Sequence, residues 1–327
     1  MDSVQNRFLT LAEQLGGEVI GQPQLIERLL IALLADGHLL VEGAPGLAKT
    51  RVIRCLGAHL EGSFHRVQFT PDLLPADLTG TEVFRPQDGT FAFVQGPLFH
   101  NLILADEINR APAKVQSALL EAMAERQITV GQTSYRLADP FLVMATQNPI
   151  EQEGTYPLPE AQLDRFLLHV RVDYPAVEVE RQILQLARRE AAADNLIEPT
   201  APAPSFARIT ATELRQARAE VLELYLSDNL QEYLLQIVLA TRPSGHWGED
   251  LVGRISYGAS PRATIALDRC ARARAWLAGR DYVQPEDIQQ LAFDVLRHRL
   301  VLSYEAEAEG ITPDRVVSEL LARIPVP

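Results

Sequence analysis

The sequence has few cysteines and no apolar run long enough to cross a membrane. Only Cys55 and Cys270 occur among 327 residues, which excludes a disulfide framework and a zinc site built on clustered cysteines. The N-terminus lacks the basic start and apolar core of a signal peptide. No apolar stretch approaches the roughly 18 residues that a membrane helix needs. We therefore expect a cytoplasmic protein with two free thiols.

The chain also has fewer basic residues than acidic ones. The chain carries 30 Lys and Arg residues against 43 Asp and Glu residues, a formal net charge of −13. This balance argues against a general binder of nucleic acids or anionic membranes, although a local basic channel stays possible. The seven histidines are scattered, without the spacing of a metal site. A hydrophobic fraction of 47% supports substantial buried cores in one large or two medium domains.

The most informative segment is Gly-Ala-Pro-Gly-Leu-Ala-Lys-Thr at 43–50, directly after His-Leu-Leu-Val at 38–41. The pattern predicts a strand, a phosphate-binding loop and then a helix. Backbone N–H groups would surround phosphate oxygens, Lys49 would reach the β- and γ-phosphates, and the Thr50 hydroxyl would bind Mg²⁺. The helix N-terminus would favour the same anion. Ala48 stands where the usual motif has its second glycine, so the motif alone is an incomplete match.

Two further apolar segments end in polar residues that suit the same site. Leu-Ile-Leu-Ala at 102–105 runs into Asp106 and Glu107, at the carboxyl edge where parallel sheets bind ligands. We expect Asp106 to contact Mg²⁺ through water and Glu107 to polarise the attacking water. The apolar run at 141–145 leads to Asn148, which would lie between the loop and Glu107. Asn148 before Pro149 is equally typical of a simple turn.

The order of predicted elements indicates an α/β fold. A strand, loop, helix and strand in succession predict a parallel sheet with helices on both faces. Aromatic runs around Asp88-Gly89 predict a first β-hairpin insertion, and a second is expected at 127–137, turning at Gly131-Gln132. The first helix is predicted at 4–15, ended by Gly16-Gly17.

A change of composition predicts the domain boundary. We assign residues 1–190 to the nucleotide-binding α/β domain and the Ala- and Pro-rich stretch 191–206 to a linker. Residues 207–327 show helical periodicity almost throughout. The sequence therefore predicts a separate all-α domain after the linker.

Nine segments spread over nearly the whole chain form long motifs. They are Val19–Gln22, Gly43–Thr50, Thr70–Gly80, Gly96–Phe99, Leu104–Pro112, Gln116–Met123, Ala145–Pro149, Leu158–Phe166 and Gly258–Ala263. These motifs resemble the MoxR family of AAA+ ATPases, and the most specific of them lie in the middle of the chain. Leu-Ala-Lys-Thr at 47–50 is common in that family, which accounts for Ala48.

The resemblance implies an AAA+ core with a helix-2 insertion, a hairpin before sensor 1, and an α-helical lid. Asn148 falls on the sensor-1 position and Arg262 on the sensor-2 position in the lid. Arg165 falls on the arginine-finger position, which reaches a neighbouring subunit's nucleotide and supplies a cation for the developing charge. A local ion pair of Arg165 with Asp164, or a solvated Arg262, is the simpler alternative.

Ile20 and Gly21 fall where the adenine is held, and Arg110 is a further candidate near the site. ATP and Mg²⁺ are the implied cofactors. The residues expected to contact the nucleotide are Ile20, Gly21, Gly43, Ala44, Pro45, Gly46, Leu47, Ala48, Lys49, Thr50, Arg51 and Asp106, with Thr50 and Asp106 serving Mg²⁺. The residues expected to act in catalysis are Lys49, Glu107, Asn148, Arg165 and Arg262.

The first functional hypothesis is an ATP-driven remodelling chaperone. ATP is expected between the α/β domain and the lid, in a ring that is most simply a hexamer. Hydrolysis would move the two hairpins against a client protein. The resemblance implies maturation or activation of that client, including metal-cofactor insertion, with a separate partner that bears a von Willebrand A domain.

Two alternatives belong to other functional classes. A nucleic-acid motor would need basic hairpins with interleaved aromatics, whereas the first hairpin has Glu82, Arg85 and Asp88 and the second has only two arginines beside Glu125. A binding switch with little turnover would not need Glu107. The sequence leaves open the client, the ring size, the role of 242–259, and whether Arg262 acts within its own subunit.

Overall fold

A five-stranded parallel sheet forms the centre of the computed structural model, which describes residues 3–87, 89–149, 154–194, 207–242, 251 and 253–327. The strand order is β2-β5-β8-β1-β9, and every adjacent pair is parallel. Its strands are β1 (Leu39–Gly43), β2 (Phe64–Gln68), β5 (Leu102–Asp106), β8 (Leu142–Gln147) and β9 (Leu168–Val172). All five carboxyl ends therefore meet at one edge, beside the phosphate loop.

Both faces of the sheet are covered, which explains why its three inner strands, β5, β8 and β1, begin as continuous apolar runs. In β5, Leu104 packs into the core on one face and Ile103 into the core on the other. The same alternation places Met144 and Val143 of β8 on opposite faces. The predicted α/β class with helices on both faces is confirmed.

The helices that flank the sheet divide between the two cores. Residues of α1, α2 and α3 contribute to one core, and residues of α4 and α5 to the other. Their bounds are α1 (Val4–Glu18), α2 (Pro23–Leu34), α3 (Lys49–His59), α4 (Pro75–Thr79), α5 (Ala113–Glu125), α6 (Glu160–Leu163) and α7 (Val177–Asp194), with 3₁₀ turns at Pro97–Phe99 and Ile108–Arg110.

Helix α1 does not stop at Gly16-Gly17, so that predicted end is wrong. The helix continues to Glu18, because Leu15 and Val19 on either side are both buried in the core. Burial of two large apolar side chains offsets the roughly 1 kcal/mol that each glycine costs in a helix.

Both predicted hairpins are confirmed. They consist of β3 (Gly80–Arg85) with β4 (Thr90–Gln95), and β6 (Gln127–Val130) with β7 (Thr133–Arg136). Asp88 of the first turn lies outside the described residues. The rings of Phe93 and Tyr135 stack with centroids 4.3 Å apart, which joins one hairpin to the other.

The C-terminal part is helical, with one difference from the prediction. A small antiparallel pair, β10 (Ile255–Tyr257) with β11 (Val301–Leu302), lies among the helices; strands this short give no periodic signal. The helices are α8 (Ala211–Glu223), α9 (Asp228–Ala240), α10 (Pro261–Leu277), α11 (Pro285–Leu296), α12 (Tyr304–Ala308) and α13 (Pro313–Arg323).

The helical part shares its core with the α/β part. Helix α2 packs against α8 and α10, and α11 packs against β9, so one apolar cluster runs from α1 to α13. Helix α7 continues to Asp194 and so includes the first four residues of the predicted linker at 191–206. Residues 195–206 and the Trp247 segment lie outside the described residues. Within the described ranges, no helix has the length and apolar character to cross a membrane.

Candidate active site

The phosphate loop lies between the end of β1 and the start of α3. Lys49 is buried, and its Nζ donates to the Gly43 carbonyl oxygen at 2.5 Å. Burial lowers the pKa of Lys49, while the charges of Asp106, Glu107 and Glu42 oppose that shift. The ammonium group therefore lies inside the loop, close to the carboxylates of the neighbouring strand end.

Ala48 adopts a left-handed backbone conformation, with φ 58° and ψ 13°. Gly46 in the same loop has φ 83°. Left-handed residues in such loops turn successive N–H groups toward one concavity that suits an anion. The conformation explains why glycine is the usual residue at position 48, because a Cβ there costs about 1 kcal/mol.

Thr146, at the end of β8, fixes both acidic residues of β5. Its Oγ1 donates to Asp106 Oδ1 at 2.6 Å and accepts from the backbone N–H of Glu107 at 2.9 Å. Glu107 itself has a left-handed backbone, with φ 57°. Since non-glycine residues rarely adopt this conformation without surrounding support, the hydrogen bond to Thr146 stabilises a strained position.

Two donors hold the Glu107 side chain. Gln68, the last residue of β2, donates from Nε2 to Glu107 Oε2 at 2.7 Å. Arg110 Nε lies 3.1 Å from the same oxygen. The other carboxylate, Asp106, pairs through Oδ2 with Arg66 at 2.6 Å. The strand next to β5 therefore orients both acidic side chains.

The loop and the strand ends enclose a cleft of about 420 Å³. Thr50 and Asp106 both line it, and their hard oxygen atoms are the ligand type that Mg²⁺ prefers. Glu107 and Asn148 line the same cleft, and Asn148 is buried. The lining residues are Pro45, Gly46, Leu47, Ala48, Lys49, Thr50, Arg51, Arg54, Arg66, Asp106, Glu107, Thr146 and Asn148.

A smaller apolar cavity of about 110 Å³ adjoins the cleft and shares Gly46, Leu47, Ala48 and Arg51 with it. Ile20 lines one side, and Ile183 and Leu186 of α7 line the other. Its size and apolar lining suit the face of a base. Gly21 does not line it, but a Cβ there would lie 2.3 Å from Val179 Cγ1, so only glycine lets α7 approach this closely.

Arg51 connects the phosphate loop to α7. Its Nη1 lies 3.0 Å from Glu190 Oε2, and its Nε donates to the Glu18 carbonyl oxygen at 2.8 Å. The hydrogen bond with Glu190 raises the pKa of Arg51. The ion pair therefore clamps α7 beside the small cavity.

Arg165 and Arg262 lie together in a different cavity of about 310 Å³, which shares no lining residue with the cleft. Arg165 Nη1 donates to the Leu120 carbonyl oxygen at 2.7 Å, and Arg262 Nη1 lies 3.7 Å from Asp164 Oδ2. We call this the arginine pocket; it is lined by Ala35, Asp36, Gly37, His38, Met123, Ala124, Arg126, Asp164, Arg165, Phe166, Leu167, Arg262, Ile265, Ala266, Arg269 and Arg299.

The helical part lies away from the cleft, unlike the expectation that ATP lies between it and the α/β domain. No described residue of 207–327 lines the cleft or the small cavity. Helix α7 forms that wall instead. The helical part is held elsewhere because α8 and α10 pack on α2 and α11 packs on β9.

Comparisons with known proteins identify the family of this chain. Residues 38–168 match the ATPase family associated with various cellular activities (AAA), and residues 253–320 match the AAA lid domain. Chaperone MoxR1 of Mycobacterium tuberculosis is 44% identical over 94% of this chain and 79% of its own length. The chain belongs to the MoxR family of AAA+ ATPases. Protein MoxR of Paracoccus denitrificans is 35% identical, over 98% of this chain and 96% of its own.

A solved structure extends the likeness to three dimensions. A crystal structure of a protein from Cytophaga hutchinsonii superimposes with a TM-score of 0.88 at 44% identity, covering 99% of this chain and 96% of that one. This MoxR-family protein is thus a nucleotide-binding AAA+ ATPase with an α/β core and a lid. The resemblance drawn from the motifs, the fold class and the ATPase activity are confirmed.

Sequence reasoning missed several residues around the cleft of this MoxR-family ATPase. They are Arg66 in the middle of β2, and Gln68 and Thr146 at the carboxyl ends of β2 and β8. That position was a usable signal, since ligand-binding side chains of parallel sheets gather there. The α7 side chains that line the small cavity, Ile183 and Leu186, gave no comparable signal, because their spacing is that of any amphipathic helix.

Proposed function

We propose that ATP binds with its phosphates on the 43–50 loop and its adenine in the small cavity beside Ile20. The two cavities share part of the loop, which supports one ligand across both. Thr50, and Asp106 through water, would hold Mg²⁺, which neutralises charge on the β- and γ-phosphates when bound. The hydrogen-bond donors around Glu107 orient its carboxylate toward the cleft, where it would polarise the attacking water beside Asn148.

We further propose that Arg165 and Arg262 act on the nucleotide of a neighbouring copy. The observation that carries this proposal is the separation of the arginine pocket from the cleft within one chain. Phosphoryl transfer develops charge that a cation from outside the loop stabilises. A head-to-tail contact that brings the pocket of one copy to the cleft of the next generates a ring when the rotation closes. A hexamer is the ring that we propose.

The work of this ATPase would be done on a client protein in the cytoplasm. The first hairpin exposes Phe84 and Phe91, which are 51% and 67% exposed, and aromatic stacking couples it to the second hairpin. Exposed apolar side chains of this kind suit contact with an unfolded or partly folded segment. We propose client maturation, activation or metal-cofactor insertion, with a separate partner that carries a von Willebrand A domain.

The shared site can be tested by mixing two inactive variants. Arg165→Ala has an intact cleft, and Glu107→Gln has an intact arginine pocket. If the site is shared, the mixture hydrolyses ATP faster than either variant alone, and the wild-type rate per subunit rises with protein concentration. Arg215→Ala, which removes an exposed arginine of α8 outside the pocket, is the matched control and should keep wild-type activity. Normal turnover by dilute, monomeric Arg165→Ala would refute the shared site.

The client role calls for a trapping experiment. Glu107→Gln should bind ATP without hydrolysing it and so retain its client in the native host. Lys49→Ala, which should lose nucleotide binding, is the control. Proteins captured by Glu107→Gln with ATP, and absent from the Lys49→Ala sample, are the expected clients. Equal capture by both variants, with and without ATP, would contradict a nucleotide-driven chaperone cycle.

A further inference from the structure

Arg299 lies in the short turn that follows α11 and reaches from the lid into the segment that carries Arg165. It is 7% exposed. Its Nε donates to Asp164 Oδ1 at 2.7 Å, its Nη2 to the Phe166 carbonyl oxygen at 2.7 Å, and its Nη1 to the Leu167 carbonyl oxygen at 3.3 Å. The guanidinium thus bonds residues on both sides of Arg165.

Asp164 extends the same contact to the helix that carries Arg262. Ser260 is the N-cap of α10, and its Oγ donates to Asp164 Oδ2 at 3.1 Å. The backbone N–H of Arg262 in turn donates to Ser260 Oγ at 3.2 Å. A single carboxylate therefore connects Arg299, the Arg165 segment and the first turn of the Arg262 helix.

We call the contact among Arg299, Asp164 and Ser260 the junction, and its chemistry suits a rigid support. A planar guanidinium offers five donors in a fixed geometry, so it holds a carboxylate and nearby carbonyl groups at once, which a lysine ammonium cannot reproduce. Burial excludes competing water and strengthens these hydrogen bonds. Asp164 supplies the negative charge that offsets the cost of burying the arginine.

We propose that Arg299 is a positioning residue, which through Asp164 and Ser260 fixes Arg165 and Arg262 relative to one another for action on a neighbouring copy's nucleotide. The inference rests on the proposed shared site. Arg299 touches no nucleotide itself; it belongs to the subunit that offers the arginines. A defect at Arg299 is therefore a defect of the arginine pocket and leaves the cleft of the same chain intact.

The prediction is that Arg299→Lys lowers kcat about 10- to 100-fold, the loss typical of a catalytic group displaced by about 1 Å. The KM for ATP should stay within about threefold of wild type, since the cleft of each copy is unchanged. Arg297→Lys is the matched control. Arg297 is similarly buried and bonds Asp294, Asp314 and the His169 carbonyl oxygen, outside 164–167; its kcat should stay close to wild type.

Mixing assays decide which half of the site is damaged. Arg299→Lys mixed with Glu107→Gln should regain activity, and mixed with Arg165→Ala it should not. Recovery with Arg165→Ala, or with neither partner, would overturn the positioning role. The mixture of Arg165→Ala with Glu107→Gln tests the shared site separately. If that mixture stays inactive, the proposed function itself fails.

Ser260→Ala provides a second route if Arg299→Lys does not fold. It removes the hydroxyl between Asp164 and the Arg262 backbone, and it should show the same pattern of recovery with a smaller loss of kcat. Ser227→Ala removes the equivalent cap of α9, where Ser227 Oγ accepts from the Leu230 N–H. This control separates the loss of a helix cap from the loss of the junction, and an equal effect of both substitutions on kcat would overturn the proposal.

Discussion

The cleft and the arginine pocket are chemically complementary regions of one chain. The cleft gathers backbone amides, one buried lysine and two carboxylates along the carboxyl edge of the sheet, and Arg51, Arg54 and Arg66 also line it. The arginine pocket gathers Arg126, Arg165, Arg262, Arg269 and Arg299 from the α/β part and the lid, and no residue of the phosphate loop. In the proposed shared site, the cleft would hold the phosphates and Mg²⁺, and the arginine pocket would offer cations to the nucleotide of a neighbouring copy. A shared ATPase site requires that the cleft of one copy face the arginine pocket of the next.

The largest effects are expected for one substitution in each region, which should affect ATP binding in the cleft and kcat in the arginine pocket. Lys49→Ala should abolish ATP binding, because the lysine is the cation inside the loop. Arg165→Ala should keep the Kd for ATP and lower kcat about 10³-fold or more, the range for a lost arginine finger. Calorimetric titration and steady-state rates measure the two quantities. Loss of ATP affinity in Arg165→Ala would show that this arginine belongs to the cleft of its own chain.

A smaller effect on kcat is expected for Gln68, the residue of β2 that orients the Glu107 carboxylate in the cleft. Gln68→Ala removes the donor to Glu107 Oε2, so the Glu107 side chain gains freedom while its charge is unchanged. We expect kcat to fall about tenfold, with little change in ATP affinity, because the loss concerns orientation. Gln231→Ala, on the exposed face of α9, controls for the chemistry of the substitution. An unchanged kcat would mean that Arg110 and the backbone suffice to hold Glu107.

The ion pair that holds α7 beside the small cavity should contribute to ATP affinity and not to kcat. Arg51→Ala and Glu190→Gln each break a partly exposed ion pair, of a kind worth about 1 kcal/mol or less. We expect KM for ATP to rise up to about fivefold with kcat unchanged. A double substitution should be no worse than the more severe single one. Additive losses would show that the two residues act on the nucleotide independently.

The smallest effect concerns the loop backbone. Ala48→Gly relieves the left-handed strain at φ 58°, a gain of about 1 kcal/mol that the greater freedom of glycine in the unfolded chain opposes. We expect Tm to change by only a few degrees and ATPase activity to stay within about twofold of wild type. Ala44→Gly, in the same loop but without a positive φ, should only destabilise. A loss of activity in Ala48→Gly with an unchanged fold would assign the Ala48 methyl group a direct role.

The phosphate loop and the acidic strand end could be predicted because each is a short run of adjacent residues. The small residues before Lys49 indicate a tight loop, and the apolar run before Asp106 indicates a buried strand. Gln68 and Thr146 could not be assigned in this way, since their contacts depend on β2 and β8 lying on either side of β5. Two short strands in the lid were missed for a related reason, because Ile255–Tyr257 pairs with residues more than 40 positions away.

By itself, the sequence determined the α/β core, the two hairpins, the helical lid and the identity of the ATPase family. These features depend on local periodicity, turn residues and contiguous motifs, all of which involve residues close together in the sequence. Only the tertiary structure decided that Arg262 lies beside Arg165 and away from the phosphate loop, and that α7 forms one wall of the small apolar cavity. Those placements follow from how the lid buries its apolar faces on α2 and β9, a matter of packing between segments far apart in the chain.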